Sequence, residues 1–486
     1  MTTTAADRDY SLVGPEAERA VQRGLAEASW FQADVDPERM RALTARTNLR
    51  PAVDLALWVG LVVGSGLLAW TVRGSWWAVP AFALYGALAA GAADPRWHEC
   101  GHGTAFRTAW INDLVYYPAS FMLARGATFW RWSHFRHHTD TIIVGRDAEI
   151  VHPRPPSMRR FVLGFTHIPG GPMLMASVVS QALGRPDPVA DELVPPSERR
   201  RVTTEARIYT AIWVGAVVWA LATTSIYPVL LIGGPTVYGA WLMVFFGATQ
   251  HAGLQEDVLD HRLNTRTVLM NPVFRFLYLN MNYHVEHHMF PAVPYYRLPA
   301  LHAEIRDQLV EPLPGTLAAY REIVGAIRRQ SYDPGWELDR VVPAVEAAPG
   351  PIVQAVVWPE ADRPVGGPSV LDVGEIDLGP LTVAPGTSTP VTIRGEDRLV
   401  VCDEEGALYV VDRICTHGDA DLARGTVLGC EIECPKHNGR FDLRTGEPTR
   451  RPVKVPLRVQ AARREQGHVV VSPEITSEDE VTIPPE

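Results

Sequence analysis

Residues 208–250 read IYTAIWVGAVVWALATTSIYPVLLIGGPTVYGAWLMVFFGATQ, 43 positions without one charged side chain. A single bilayer crossing takes about 20 apolar residues. The run therefore reads as two membrane helices joined by a turn near Ser225–Pro228 or Gly233-Gly234-Pro235. Leu55–Val72 and Gly74–Ala93 are two further uncharged runs, parted only by Arg73. Together they predict an α-helical integral membrane domain of about four transmembrane helices in two hairpins. Trp58, Trp70, Trp76, Trp77, Tyr209 and Trp241 stand at the edges of these runs, where amphipathic rings settle at a bilayer interface.

Three histidine clusters border the apolar runs: His98-Glu-Cys-Gly-His102, His134-Phe-Arg-His137-His138 and His284-Val-Glu-His287-His288. They hold eight of the sixteen histidines. Imidazole is a common ligand for iron, zinc and copper. Residues at i, i+3 and i+4 share one helix face, so each cluster can aim its rings together. A polar helix face would explain one such cluster but is a poor account of three. Eight ligands exceed a single tetrahedral site and suit a pair of metal ions.

An even number of crossings precedes each cluster, so all three face one compartment. Arg39, Arg41, Arg46 and Arg50 precede the first span, and Arg159, Arg160, Arg199, Arg200 and Arg201 the third. The positive-inside tendency puts that side in the cytoplasm. The first thirty residues lack an apolar core after a basic start, so no cleavable signal peptide is expected. A net charge of −10 argues against a nucleic-acid partner. A disulfide framework is not expected of the five cysteines in a cytosol-facing protein.

The pattern changes near residue 340. Ala347-Ala348-Pro349-Gly350-Pro351 and Pro364-Val365-Gly366-Gly367-Pro368 read as linker. Beyond them come short alternating runs, Val391–Ile393, Leu399–Cys402, Ala407–Val411, Val453–Leu457 and His468–Val471, which predict strands of a small all-β domain. The expected organisation is a cytosolic segment (1–40), the membrane domain (41–330), a linker (331–369), the β domain (370–473) and an acidic tail (474–486).

The β domain carries Cys415-Thr-His417 and, sixteen residues on, Cys434-Pro-Lys-His437. Two thiolates and two imidazoles form the ligand set of a [2Fe–2S] cluster with one histidine-bound iron; structural zinc takes the same ligand types. With its flanks (Cys-Thr-His-Gly-Asp, Cys-Pro-Lys-His-Asn-Gly-Arg-Phe-Asp and Thr445-Gly-Glu-Pro448) the pattern resembles the Rieske ferredoxins of ring-hydroxylating systems. That resemblance implies a Rieske [2Fe–2S] cluster on Cys415, His417, Cys434 and His437. Respiratory Rieske proteins have two further cysteines where this chain has Ala420 and Lys436, which points to the lower-potential branch. Cys402 and Cys430 read as packed thiols.

The membrane half resembles the integral-membrane fatty acid desaturases and hydroxylases. Its three clusters match their histidine boxes one by one, and Asn282-Tyr-His-Val-Glu-His-His-Met-Phe-Pro291 is especially close to the third. The resemblance implies two iron ions held by His98, His102, His134, His137, His138, His284, His287 and His288. It also implies a ninth ligand, His251, with His261 as the fallback. The family's ligand sphere can include an asparagine near that ninth histidine; position 247 is glycine here, and Asn280 or Asn282 could substitute or orient ligands. Glu99, Asp140, Asp147 and Glu286 are candidates to hold the far nitrogens of ligating rings. His152, His167 and His302 read as structural.

The implied activity is O2-dependent desaturation of an acyl chain, or hydroxylation of a lipid or other hydrophobic substrate at the same centre. The tethered Rieske domain would supply electrons at high effective concentration. No G-x-G-x-x-G opens a βαβ unit, so NAD(P)H and flavin are expected on a separate reductase. Two other readings are an electron-transfer membrane protein and a zinc membrane protease, because His98-Glu-Cys-Gly-His102 also fits H-E-x-x-H with Glu99 as base.

Overall fold

The uncharged run ending at Val72 folds as one helix, α1 (Leu49–Thr71), in the computed structural model. The structure describes residues 8–26, 28, 30–185, 188–344, 375–417, 420–435, 439–450 and 453–472, and divides into two compact units, Met1–Val345 and Glu346–Glu486. On α1 Val53, Leu57, Leu61, Leu67 and Leu68 stand exposed, the reverse of a water-facing helix, which turns its apolar stripe inward. Trp76 and Trp77 follow, 92% and 73% exposed. The chain returns as α2 (Ala78–Ala89) and, after one 3-10 turn at Gly91–Ala93, continues as α3 (Asp94–His102). Gly103 ends α3 at φ 65°, the left-handed cap that glycine adopts without strain.

Next come α4 (Ala109–Met122) and α5 (Ala127–Thr139), then the second long apolar helix, α6 (Arg199–Ala222). Among the described residues, two helical stretches are long and apolar enough to cross a membrane, Glu38–Thr71 and Pro196–Ala222. The return limbs differ from the uninterrupted helices expected. α2 has 12 residues, and the second limb divides into Tyr227–Leu231, Gly234–Tyr238 and α7 (Trp241–His251). The breaks have local causes. Pro228 and Pro235 bring no N–H to a helical ladder, and Gly233 turns at φ 83°. The limbs also cross backbone to backbone: a Cβ at position 239 would lie 2.1 Å from the Gly86 carbonyl carbon. Small residues permit such close approach between apolar segments.

The unit closes with α8 (His284–Met289), all of whose side chains are buried, and α9 (Thr316–Tyr332). The N-terminal segment packs on the unit: Arg8 and Arg23 pair with Glu256 and Asp257. Past α9 the chain doubles back. Gln255 Nε2 donates to the Leu338 carbonyl (3.0 Å), Arg262 to that of Pro343 (3.2 Å) and Arg340 to that of Thr265 (3.0 Å). Residues 331–344, read from the sequence as the start of the linker, therefore lie against the first unit. Residues 345–369 and the acidic tail 474–486 fall outside the described residues.

The second unit is built from strands β1 (Ile376–Asp377), β2 (Thr387–Ile393), β3 (Glu396–Cys402), β4 (Leu408–Asp412), β5 (Thr426–Leu428), β6 (Glu431–Glu433), β7 (Arg440–Asp442), β8 (Pro448–Arg450), β9 (Val459–Glu465) and β10 (His468–Val471). A six-stranded antiparallel sheet runs β1-β10-β9-β4-β3-β2, and a four-stranded one runs β5-β6-β7-β8. Alternation along β3 puts Val400 and Cys402 into one apolar core and Leu399 and Val401 into another, as a period of two requires. The expected strand at Val453–Leu457 is instead an irregular segment with Val453 and Leu457 buried; Pro456 brings no N–H to a ladder.

Candidate metal centre

Helical spacing sorts the histidines. On α5, His134 and His138 are four apart and His137 lies between them; on α8, His284 and His288 are four apart with His287 between. The i, i+4 pair of each helix joins one group and the intervening ring joins the other. The first group is His98, His102, His134, His138 and His287; the second is His137, His251, His284 and His288. Within each, one ligand atom per residue lies within 4.8 Å of all the others. α3 supplies His98 and His102, and the last residue of α7 supplies His251.

The spacing of the nitrogens fits metal. His102 Nε2 is 3.0 Å from His134 Nε2, His138 Nε2 is 3.2 Å from His287 Nε2, and His284 Nε2 is 3.1 Å from His288 Nε2. Imidazole binds a divalent first-row ion at about 2.1 Å, so two rings on one ion stand about 3.0–3.4 Å apart. Both ring nitrogens of His98, and Nε2 of His251, are buried without a hydrogen-bond partner, a costly state that an ion would relieve. Burial first, then the surrounding imidazoles, pushes His98, His138, His284, His287 and His288 well below the usual histidine range. That keeps the rings neutral, the form that ligates. The two groups abut: the His138 and His288 rings stack at 4.3 Å.

Several groups fix the rings from behind. Asp147 accepts from His137 Nδ1 at 2.8 Å and from the Ile142 N–H at 2.8 Å. Burial opposes charging His137 and the Asp147 carboxylate favours it, raising the ring when no ion is bound; an ion on the opposite nitrogen would displace the second proton and leave the Nδ1–H bond to Asp147 in place. Glu149 stands 3.4 Å from His134 Nδ1. Burial would raise Glu149, yet the neighbouring imidazoles, His134 above all, bring it down to about 2. His251 Nδ1 donates to the Asn264 carbonyl at 2.9 Å, and the Thr141 hydroxyl meets His288 Nδ1 at 3.2 Å.

Of the four carboxylates expected to hold ligand rings, Asp147 alone does so; Glu149, Asn264 and Thr141 were missed. Glu149 had a signal, as a second acid two residues past Asp147, whereas a backbone carbonyl has none. Asp140 pairs with Arg136 and Arg146, and Glu286 binds His302 and Thr267. Glu99 accepts from the Thr104 hydroxyl (2.7 Å) and the Tyr295 N–H (3.2 Å), and belongs to neither histidine group. The H-E-x-x-H base thus joins neither. His261 also lies outside the groups, its ring 5.1 Å from that of His288. Asn280 bonds Arg275 and Tyr295, and Asn282 bonds Val268. Trp97, Gly101, Tyr116, Arg131 and Phe135 pack around His98 and His134 of the first group.

In the second unit Cys415 and Cys434 are 2% and 1% exposed and share one apolar cluster. Backbone bonds from Cys415 N to Ala420 O (2.9 Å) and Cys434 N to Gly439 O (2.8 Å) close both loops. The Thr416 hydroxyl ties the first loop to the Val455 carbonyl at 2.6 Å. His417 is half-buried, and His437 falls outside the described residues. Cys402 is packed in the other core and Cys430 lies beside the Tyr409 hydroxyl, both as free thiols.

Two histidine groups on helices, followed by a β unit with paired Cys/His loops, define a two-centre iron protein. The fatty acid desaturase family model matches residues 74–316, and the Rieske [2Fe-2S] domain model matches residues 378–461. The chain belongs to the fatty acid desaturase family and carries a C-terminal Rieske domain. It is 27% identical over 250 residues to the omega-6 fatty acid desaturase, endoplasmic reticulum isozyme 1, of Glycine max, matching 45% of this chain and 61% of that one. It is 38% identical over 81 residues to the ferredoxin component of the naphthalene 1,2-dioxygenase system of Pseudomonas putida, matching 17% of this chain and 77% of the relative. Among solved structures, the ferredoxin of carbazole 1,9a-dioxygenase from Nocardioides aromaticivorans IC177 is 33% identical, with a TM-score of 0.19, over 20% of this chain and 97% of its own. The chain is a desaturase-like, oxygen-dependent iron oxidoreductase whose cofactors are a di-iron centre and a [2Fe–2S] cluster.

Proposed function

We propose that this protein is a membrane enzyme that desaturates an acyl chain with O2, using electrons relayed by its own Rieske domain. The assembly of eight buried histidines and the half-buried His251 into groups of five and four carries this reading. On it, His98, His102, His134, His138 and His287 hold one iron, and His137, His251, His284 and His288 hold the other. The iron pair supplies O2 activation able to cleave an unactivated C–H bond. Asp147 and Glu149 hold His137 and His134 in one tautomer and orientation. Trp97, Tyr116 and Phe135 pack beside the first group and exclude water from it. Cys415, His417, Cys434 and His437 would hold the Rieske cluster, which would supply electrons one at a time.

The exposed apolar faces of α1 and α6 favour a bilayer, and the broken limbs 78–93 and 227–251 complete four crossings in this reading. The arginines before α1 and α6 favour the cytoplasmic membrane, with both centres on the cytoplasmic side. A separate NAD(P)H-dependent flavin reductase would feed the cluster. The proposed domains are 1–40, 41–330, 331–369 as linker and 370–473, with the linker's first residues docked on the catalytic unit.

The test is lipid and metabolite profiling of a host expressing the full chain with a compatible reductase. An O2-dependent unsaturated acyl product is expected. A hydroxylated product instead would make the enzyme a hydroxylase, and no oxidised product with both centres loaded would overturn the catalytic reading.

A further inference from the structure

We propose that Trp30 and His261 form the route by which electrons reach the second histidine group, resting on the reading that the fused cluster is the donor. The His261 ring lies 5.1 Å from that of His288, and the Trp30 indole stacks on His261 at 4.3 Å with the planes 8° apart. Trp30 is only half-buried, so this stack connects the interior group to the surface. Its neighbours hold it still. Trp30 Nε1 donates to the carbonyl of Thr139, the last residue of α5, at 3.1 Å, and Gln32 Nε2 donates to that of Met289, the last of α8, at 3.0 Å. Phe31 N bonds the Leu259 carbonyl at 2.9 Å, and the Arg262 guanidinium sits 3.4 Å over the Phe31 ring.

Electron tunnelling falls off exponentially with distance, so ring contacts decide between routes. A second aromatic path leaves the first group: His134 to Trp97 at 5.6 Å, then Trp97 to Trp130 at 6.3 Å. Each of its steps is longer. Trp97 also packs beside His98 and His134, and Arg125, which lies over Trp130, reaches Met243 on the apolar α7. In each passage the reduced cluster loses one electron and one ferric ion gains it, twice per product; neither ring makes or breaks a bond.

The test uses the iron-loaded full chain, its Rieske cluster reduced by a flash-generated one-electron reductant, with cluster reoxidation followed by absorbance. Trp30→Leu should slow this transfer severalfold at unchanged iron content. Trp30→Phe, which keeps a ring and loses the Thr139 bond, should retain most of the rate, and Trp130→Leu should leave it unchanged. Trp30→Met carries the same test should leucine disturb iron loading. A wild-type rate in either aliphatic variant overturns the route, as does equal slowing by Trp30→Phe. A wild-type cluster that never passes its electron overturns the donor reading itself, and the route with it.

Discussion

Asp147→Asn tests how the second histidine group is held. The Asp147 side chain is fully buried and takes three N–H groups: His137 Nδ1 and the Ile142 amide on one oxygen, and the Glu149 amide on the other, each at 2.8 Å. Asparagine can offer its oxygen to only one side, so at least one buried N–H then faces an NH2 group. That mismatch costs about 1–3 kcal/mol. Losing the carboxylate behind a ligating histidine also weakens metal binding about 10–100-fold, or roughly 1.4–2.7 kcal/mol. The loss should be confined to His137, His251, His284 and His288. Chelator titration of the purified full chain, with iron counted after each step and the Rieske signal followed by EPR, reads this directly. One iron should leave the variant at lower chelator concentration than in the wild type while the Rieske signal persists. Equal chelator resistance in variant and wild type would refute the account of Asp147.

Burial raises Glu99 to about 7, against the opposing bonds from Thr104 and Tyr295. A carboxyl whose folded pKa exceeds its unfolded value binds its proton more tightly when folded, so stability should fall as pH rises from about 4.5 to about 7, by on the order of 3 kcal/mol. Glu99→Gln should flatten that slope in thermal melts while keeping iron and product formation; loss of product with iron intact would contradict a role for Glu99 outside the reaction. Cys434→Ser should abolish the Rieske EPR signal and reductase-driven turnover while leaving the histidine-bound iron in place, and a surviving signal would remove Cys434 from the ligand set. Gly239→Ala places a methyl against the Gly86 backbone and should lower the melting temperature, an overpacking cost of about 1–3 kcal/mol or more; an unchanged melt would contradict the close crossing.

The histidine clusters were legible because i, i+3 and i+4 spacing is a local property of a helix. How they divide was not: the sequence does not say that the pair at 134 and 138 serves one group while 137 serves the other. That follows from how α3, α5 and α8 cross. Glu286 and Asp140 looked equivalent to Asp147, yet their partners, His302 and two arginines, come from elsewhere in the fold. The Asn264 carbonyl behind His251 carries no side-chain signal at all. Hydropathy located the apolar runs but not the interruptions in the second limb, although Pro228, Gly233 and Pro235 lie in plain view there. In the β unit, β5–β8 have three residues each, too short to show alternation, and Val453–Leu457 mimicked a strand because its valines and leucine alternate with Lys454 and Pro456 in sequence, although only Val453 and Leu457 are buried.

Mössbauer spectroscopy of the full chain loaded with ⁵⁷Fe tests the iron pair most directly. The account predicts about four irons per chain, two in a [2Fe–2S] cluster and two in a separate histidine-bound signal that His251→Ala and His287→Ala each diminish. Two irons confined to the cluster, with zinc or nothing between the histidines, would contradict it.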